Sequence, residues 1–270
     1  MNSLQKIERA TNPDVMGKMP QRVFPTRRLL YPDPFILLDH FAMTKPDGFP
    51  DHPHRGFEII SYVLGGAMAH EDSYGHASVI PTGGVQTVTA GRGLVHSEMP
   101  HGDETATGLQ LWINLPRADK QMEPSYAEFS PADLPITSRD GATVTTIVGP
   151  ASPVRVHRDI LYYDVRLDAG KRYEEILPAG HQGFIYVLEG SGRFQLVPAQ
   201  GDNPTASLSG STAGADADAE VAGKGDLFHI PGLSGEARLL VAAQDTGVRF
   251  AYAAGPPIGE RPIYNGPFVD

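Results

Sequence analysis

Short apolar runs, each cut off by Gly, Pro or Asp, recur along the whole chain. They include PFILLDHF (34–41), FEIISYVLGG (57–66), ASVIPTGG (77–84), VQTVTAG (85–91), GLQLWINLP (108–116), ATVTTIVG (142–149), ILYYDVRL (160–167), GFIYVLEGSGRFQLV (183–197) and ARLLVAA (237–243). Turn signals about 8–12 residues apart are the mark of a β-sandwich or barrel. Helical periodicity is nearly absent, and SPADLP (130–135) reads as at most one turn capped by Ser130. In GLQLWINLP, Leu109, Leu111, Ile113 and Leu115 share one face, while Gln110, Trp112 and Asn114 share the other. Trp112 is expected to pack in a core or between barrels, with a pocket for an aromatic ligand as the other reading.

A weak internal repeat organises these runs. ISYVLGGAMAH (60–70) and FIYVLEGSGRF (184–194) both read as an apolar strand, a Leu, and a Gly-marked turn into another strand. Two similar β-domains follow, 1–125 and 126–270, with the break in the Pro- and charge-rich stretch 117–140. Residues 199–223 are almost entirely Ala, Gly, Ser, Asp and Thr, too little apolar surface to offset ordering entropy. A flexible hairpin insertion is expected there.

Composition narrows the function. The chain has 270 residues, long enough to bury roughly 70–75% of its unfolded surface without a staple. Thirty glycines and 24 prolines suit short strands and turns rather than a helix bundle. The 32 acidic residues outnumber the 22 basic ones, which leaves no footprint for nucleic acid. There is no cysteine, so disulfides, thiolate catalysis, zinc fingers and iron–sulfur ligation are excluded. No stretch approaches the roughly 20 apolar residues of a membrane span. The N-terminus lacks the apolar core of a secretory signal, so a cytoplasmic protein is expected.

The candidate chemistry lies in the histidines. Seven of the ten fall between residues 40 and 101: His40, His52, His54, His70, His76, His96 and His101. His52-Pro53-His54 and His96-Ser97-Glu98 are both i, i+2 pairs, and on a strand each pair projects to one face. Two such strands facing one another would offer three imidazoles and one carboxylate to a divalent transition metal, with positions left for substrate. A lone HPH could equally be a solvated turn around Pro53; the second pair and the turn-forming Gly91 and Gly93 favour the site. Among the rest, Arg55 is expected to point away from the imidazoles into a salt bridge, Arg92 to brace its turn, and His101 to be exposed. His70 and His76, around Glu71-Asp72, could support the site or be solvated or structural.

HPHRGFExxSYVLGG, HED, PxGxVQxxTAGRGxxHSEMP, the upstream DPFxLLDHF and the downstream GLQLWINLP together closely resemble the pirin family. The resemblance implies two tandem cupin barrels, of which the first holds one divalent transition metal on His52, His54, His96 and Glu98. Iron leads among the metals, and Mn, Co, Ni, Cu or Zn are also accepted by such N/O sites. It further implies a quercetin 2,3-dioxygenase-type activity on a small aromatic substrate with O2. The alternative is an iron-dependent redox-sensing regulator that binds a transcription factor or metabolic enzyme. A monomer without direct nucleic-acid or membrane partners is expected. The general cupin pattern takes its carboxylate four residues after the second His, here Glu58. Strand parity through Gly56 would place Glu58 on the inward face, where it could orient a ligand or accept a proton. A buried structural carboxylate that binds backbone N–H groups is the other reading of Glu58. The second barrel offers only His157, His181 and His229, with no i, i+2 pair, and is expected to carry no metal.

Overall fold

The structure is a computed structural model and describes residues 3–7, 21–199 and 219–270. It is almost entirely antiparallel β. The first strand, β1 (Gln5–Ile7), is followed by β2 (Gln21–Phe24), β3 (Phe35–Met43), β4 (Phe49–His54), β5 (Phe57–Gly65) and β6 (Ala67–Asp72). Then come β7 (Ala77–Pro81), β8 (Val85–Thr89), β9 (Leu94–Pro100), β10 (Ala106–Asn114) and β11 (Ser125–Phe129). A 3-10 turn at Pro131–Asp133 leads to β12 (Ile136–Arg139), β13 (Ala142–Val148), β14 (Leu161–Leu167), β15 (Arg172–Leu177) and β16 (Gln182–Pro198). The chain ends with β17 (Glu220–Gly223), β18 (Leu227–Ile230), β19 (Ala237–Gly255), β20 (Tyr264–Asn265) and β21 (Phe268–Val269). No helix among the described residues is long and apolar enough to cross a membrane.

Two compact units result, each a cupin barrel, and the division is not a single cut. One unit takes β2 to Leu134, then Pro153–His157 and Ile258–Asp270; the other takes β1, Pro135–Ser152 and Arg158–Pro257. In the first unit, a six-stranded sheet in the order β11-β8-β5-β10-β3-β2 faces a four-stranded sheet in the order β4-β9-β6-β7. Apolar side chains from both sheets meet between them: Phe41 and Val63 pack with Met68 and Ile80, and Phe57, Ile59 and Val88 with Leu94. Strands β5 and β8 are buried on both faces along most of their length, which is why FEIISYV reads as a continuous apolar run rather than an alternation.

The second unit is one nine-stranded sheet in the order β1-β18-β16-β19-β14-β13-β12, with β15 added on β19 and β17 on β16. Its core gathers Phe194, Phe228, Phe250 and Tyr252. The internal repeat has a structural counterpart with one difference. Gly66, at φ +66°, separates β5 from β6, whereas Gly190, at the same φ, sits within β16. The predicted turn in LEGSG is therefore a bulged continuation, with register shifts against β19 at Val187/Glu189 and Gly190/Gly192. Of the insertion expected at 199–223, residues 200–218 lie outside the described residues, and Glu220–Gly223 form β17 against Ser191–Phe194. The predicted turn at 130–135 is present with Ser130 at its N-cap, and the Asp133 carboxylate reaches back to accept from the backbone N–H and the hydroxyl of Ser130, each at 2.7 Å.

Candidate metal centre

The site is built from two neighbouring strands of the small sheet. Strand β4 carries His52 and His54, β9 carries His96 and Glu98, and His52 pairs directly with His96 in the register. One nitrogen from each of His52, His54 and His96 lies within 4.8 Å of the others. The ring centroids are 4.5 Å apart for His52–His96, 4.6 Å for His52–His54 and 4.9 Å for His54–His96. His52 is partly buried, whereas His54 and His96 are buried.

Hydrogen bonds decide which nitrogens are free. His52 Nδ1 donates to the Pro50 carbonyl at 2.8 Å and His54 Nδ1 to the Pro267 carbonyl at 3.4 Å. Each imidazole is thereby left with an Nε2 lone pair. The buried Nε2 of His54 and Nδ1 of His96 have no hydrogen-bond partner among the described residues. His52 Nε2 and His96 Nε2 stand 3.1 Å apart. Two imidazole nitrogens on one ion at about 2.1 Å and near right angles would be about 3 Å apart, so the spacing fits a shared metal. Burial, then the neighbouring His96 and His52, pushes His54 down to about 3, and burial with the adjoining His52 and His70 does the same to His96. Both are neutral at pH 7 and can donate a lone pair.

Glu98 shares the inner face with His96, but its carboxylate is not among the three groups within 4.8 Å. It is buried, 2% exposed, and held by three donors from the opposite sheet. Ser61 Oγ at 3.0 Å and the Gln86 amide reach Oε1, and Gln110 Nε2 reaches Oε2 at 2.6 Å. Ser61 sits opposite both Gln86 and Gln110 in the strand register, so three adjacent strands present one polar row to the carboxylate. Trp112 Nε1 donates to Gln110 Oε1 at 3.0 Å and locks that amide's orientation. The Trp112 ring stacks on Phe57 at 4.1 Å and lies 4.9 Å from His54, on the site side of its strand. Sequence reading did not single out Ser61, Gln86 or Gln110. The available signal was a polar residue buried within each of three strand-like runs.

Glu58 does not join them. Gly56, at φ +88°, resets the alternation between β4 and β5, so Phe57, Ile59 and Ser61 face the site and Glu58 faces away. There its carboxylate accepts from Thr89 Oγ1 at 3.1 Å, from the His157 backbone N–H at 3.0 Å and from His157 Nδ1 at 2.8 Å. The carboxylate thus binds a backbone N–H and lies on the face away from the imidazoles, not on the inward face that strand parity predicts.

The remaining histidines separate cleanly. His70 is buried opposite Glu98 in the register, 5.4 Å from His96, stacked on Tyr126 at 4.3 Å. Asp72 joins it to the exposed His76, with Oδ2 at 3.4 Å from His70 Nε2 and 2.8 Å from His76 Nδ1. His101 is exposed. In the second unit, His181 meets the Ala179 carbonyl and His229 the Gln5 side chain. Arg55 forms an ion pair with Asp270, and Arg92 with Glu123. Both line an open cleft of about 420 Å³ with Pro53, Tyr74, Val95 and Phe268.

The profile of the Pirin family matches residues 17–113, the stretch that holds all four candidate ligands. A pirin-like protein of Solanum lycopersicum is 39% identical over 241 residues, 88% of this chain and 75% of its own. The chain belongs to the pirin family. Among solved structures, a quercetin 2,3-dioxygenase from Acinetobacter baumannii superposes with a TM-score of 0.71 at 25% identity, over 87% of this chain and 79% of that one. The bacterial pirin YhhW of Escherichia coli, solved in complex with nickel(II), has a TM-score of 0.66 at 20% identity over 88% and 91% of the two chains. At that identity the likeness to YhhW concerns the fold.

Proposed function

We propose that this pirin-family chain is a metal-dependent dioxygenase of quercetin-like flavonols or a related small aromatic compound, with one divalent transition metal, iron first, on His52, His54, His96 and Glu98. The observation that carries the reading is the inner face of the first barrel, where neutral imidazoles and a clamped carboxylate adjoin an aromatic wall. The likeness to a protein named as a quercetin 2,3-dioxygenase supports it.

When bound to these donors, the metal supplies Lewis acidity toward a phenolate oxygen and one-electron chemistry toward O2. The rest falls to the chain's own residues. His52 and His54 commit Nδ1 to proline carbonyls and keep Nε2 directed inward. Ser61, Gln86 and Gln110 satisfy the Glu98 carboxylate with neutral donors and fix its direction without a competing cation. Trp112, partly exposed and backed by the buried Phe57 ring, offers a flat apolar surface against which a planar substrate can pack while water is excluded.

Oxygen uptake by protein reconstituted with Fe(II), run over a panel of flavonols, simpler phenols and small acids, is the test. Uptake that parallels loss of flavonol absorbance, and that disappears in His52→Ala/His96→Ala, is expected. Loaded protein that consumes no O2 with any member of the panel would overturn the reading.

A further inference from the structure

A neutral imidazole carries its proton on one nitrogen, and the partner of that N–H decides which lone pair is left for a metal. His52 obtains its partner locally, from Pro50 two residues away. His54 obtains its partner from Pro267, 213 residues along the chain. The segment that delivers this carbonyl is held to the turn that follows β4 by several contacts. The Val269 N–H donates to the Arg55 carbonyl at 2.9 Å, and Arg55 forms a parallel bridge with Phe268. The Arg55 guanidinium grips Asp270, with Nη2 at 2.8 and 3.0 Å and Nε at 3.2 Å, and lies 4.7 Å above the Phe268 ring. The buried Lys120 ammonium ties both segments together, and donates to Gly56 O at 2.8 Å, Val269 O at 3.0 Å and Asn114 Oδ1 at 2.8 Å.

Close approach is built into the sequence. A Cβ on Gly56 would stand 1.9 Å from the Val269 carbonyl oxygen, so only glycine lets the tail lie against the residue that follows Arg55. The Val269 side chain is fully buried in the cluster of Phe57 and Leu94. Residues 55 and 56 of the HPHRG motif thus serve the tail, just as residues 52 and 54 serve the metal.

We propose that Pro267–Asp270 is a positioning element for His54: its docking on Arg55, Gly56 and Lys120 fixes the Nδ1–H tautomer and so presents Nε2 to the metal. This rests on the reading of His52, His54 and His96 as metal ligands. The tail acts through its carbonyl contact with His54.

Two measurements test it. Long-range proton–nitrogen correlation NMR on the metal-free full chain should show His54 protonated at Nδ1. Finding the Nε2–H tautomer would overturn the proposal, and this reading needs no variant. Nickel(II) titration should then give an affinity lower by about 10–100-fold in a chain that lacks residues 267–270, as loss of a ligand's outer hydrogen bond typically does. Lys120→Met, which loosens the tail without removing it, should move affinity the same way by a smaller factor. A folded truncated chain with unchanged nickel affinity would refute the role of the tail. Absence of nickel uptake by the intact chain, with His54 still protonated at Nδ1, would instead remove the metal reading beneath it.

Discussion

Gln110→Leu isolates the clamp on Glu98. The substitution keeps volume on a buried strand but removes the one side-chain donor to Glu98 Oε2 among the described residues, at 2.6 Å, and the acceptor of the Trp112 indole N–H, at 3.0 Å. A hydrogen bond to a charged group contributes about 1.5–3 kcal/mol, and an orphaned buried donor costs about 1–3 kcal/mol. Trp112 is only partly buried and can recover water, so its share lies at the low end. The metal-free protein should lose about 2–4 kcal/mol. Trp112 is the sole tryptophan, so its emission during urea unfolding follows the unit that contains the site. The same substitution in a Glu98→Leu background should cost less, by about the 1.5–3 kcal/mol of the charged hydrogen bond, because the carboxylate is no longer there to strand. A cost below about 0.5 kcal/mol, or an equal cost in both backgrounds, would refute the clamp.

Glu58→Gln should leave metal content and turnover unchanged while it lowers the melting temperature, since Glu58 faces Thr89 and His157 rather than the imidazoles; altered metal content would put it back in the site. His157 is held above its ordinary value chiefly by the hydrogen bond to Glu58. That contact therefore stabilises fully below about pH 6.5 and is lost as pH rises through the raised folded-state value. Melting temperature against pH should show this loss in the parent, and His157→Gln should flatten it. Gly56→Ala should be strongly destabilising, because it combines a positive φ with a clash against Val269 O, and differential scanning calorimetry measures it.

Much of the site was legible because strand periodicity is local. HPH and HSE each put two donors on one face, and the register brings the two strands together at His52 and His96. The same argument failed at Glu58, because it assumed that alternation survives Gly56, whose left-handed backbone lets the chain change direction between β4 and β5. What could not be read depends on the other sheet or the far end of the chain. Ser61, Gln86 and Gln110 look like unrelated polar residues in three separate strands until the six-stranded sheet lines them up against Glu98. The Pro267 carbonyl has no side-chain signature at all, and neither does the pairing of β1 with β18 in the second unit. Gly66 and Gly190 look alike in sequence, yet one ends a strand and the other bends a longer one, since β16 has β19 as a partner throughout.

The most direct test of the metal centre is elemental analysis of protein given excess Fe(II) or Ni(II) under anaerobic conditions and then desalted. About one equivalent per chain should remain on the intact protein, and loss of two of the four donors in His52→Ala/His96→Ala should leave it essentially metal-free. Equal metal in the intact protein and the double variant would contradict the assignment.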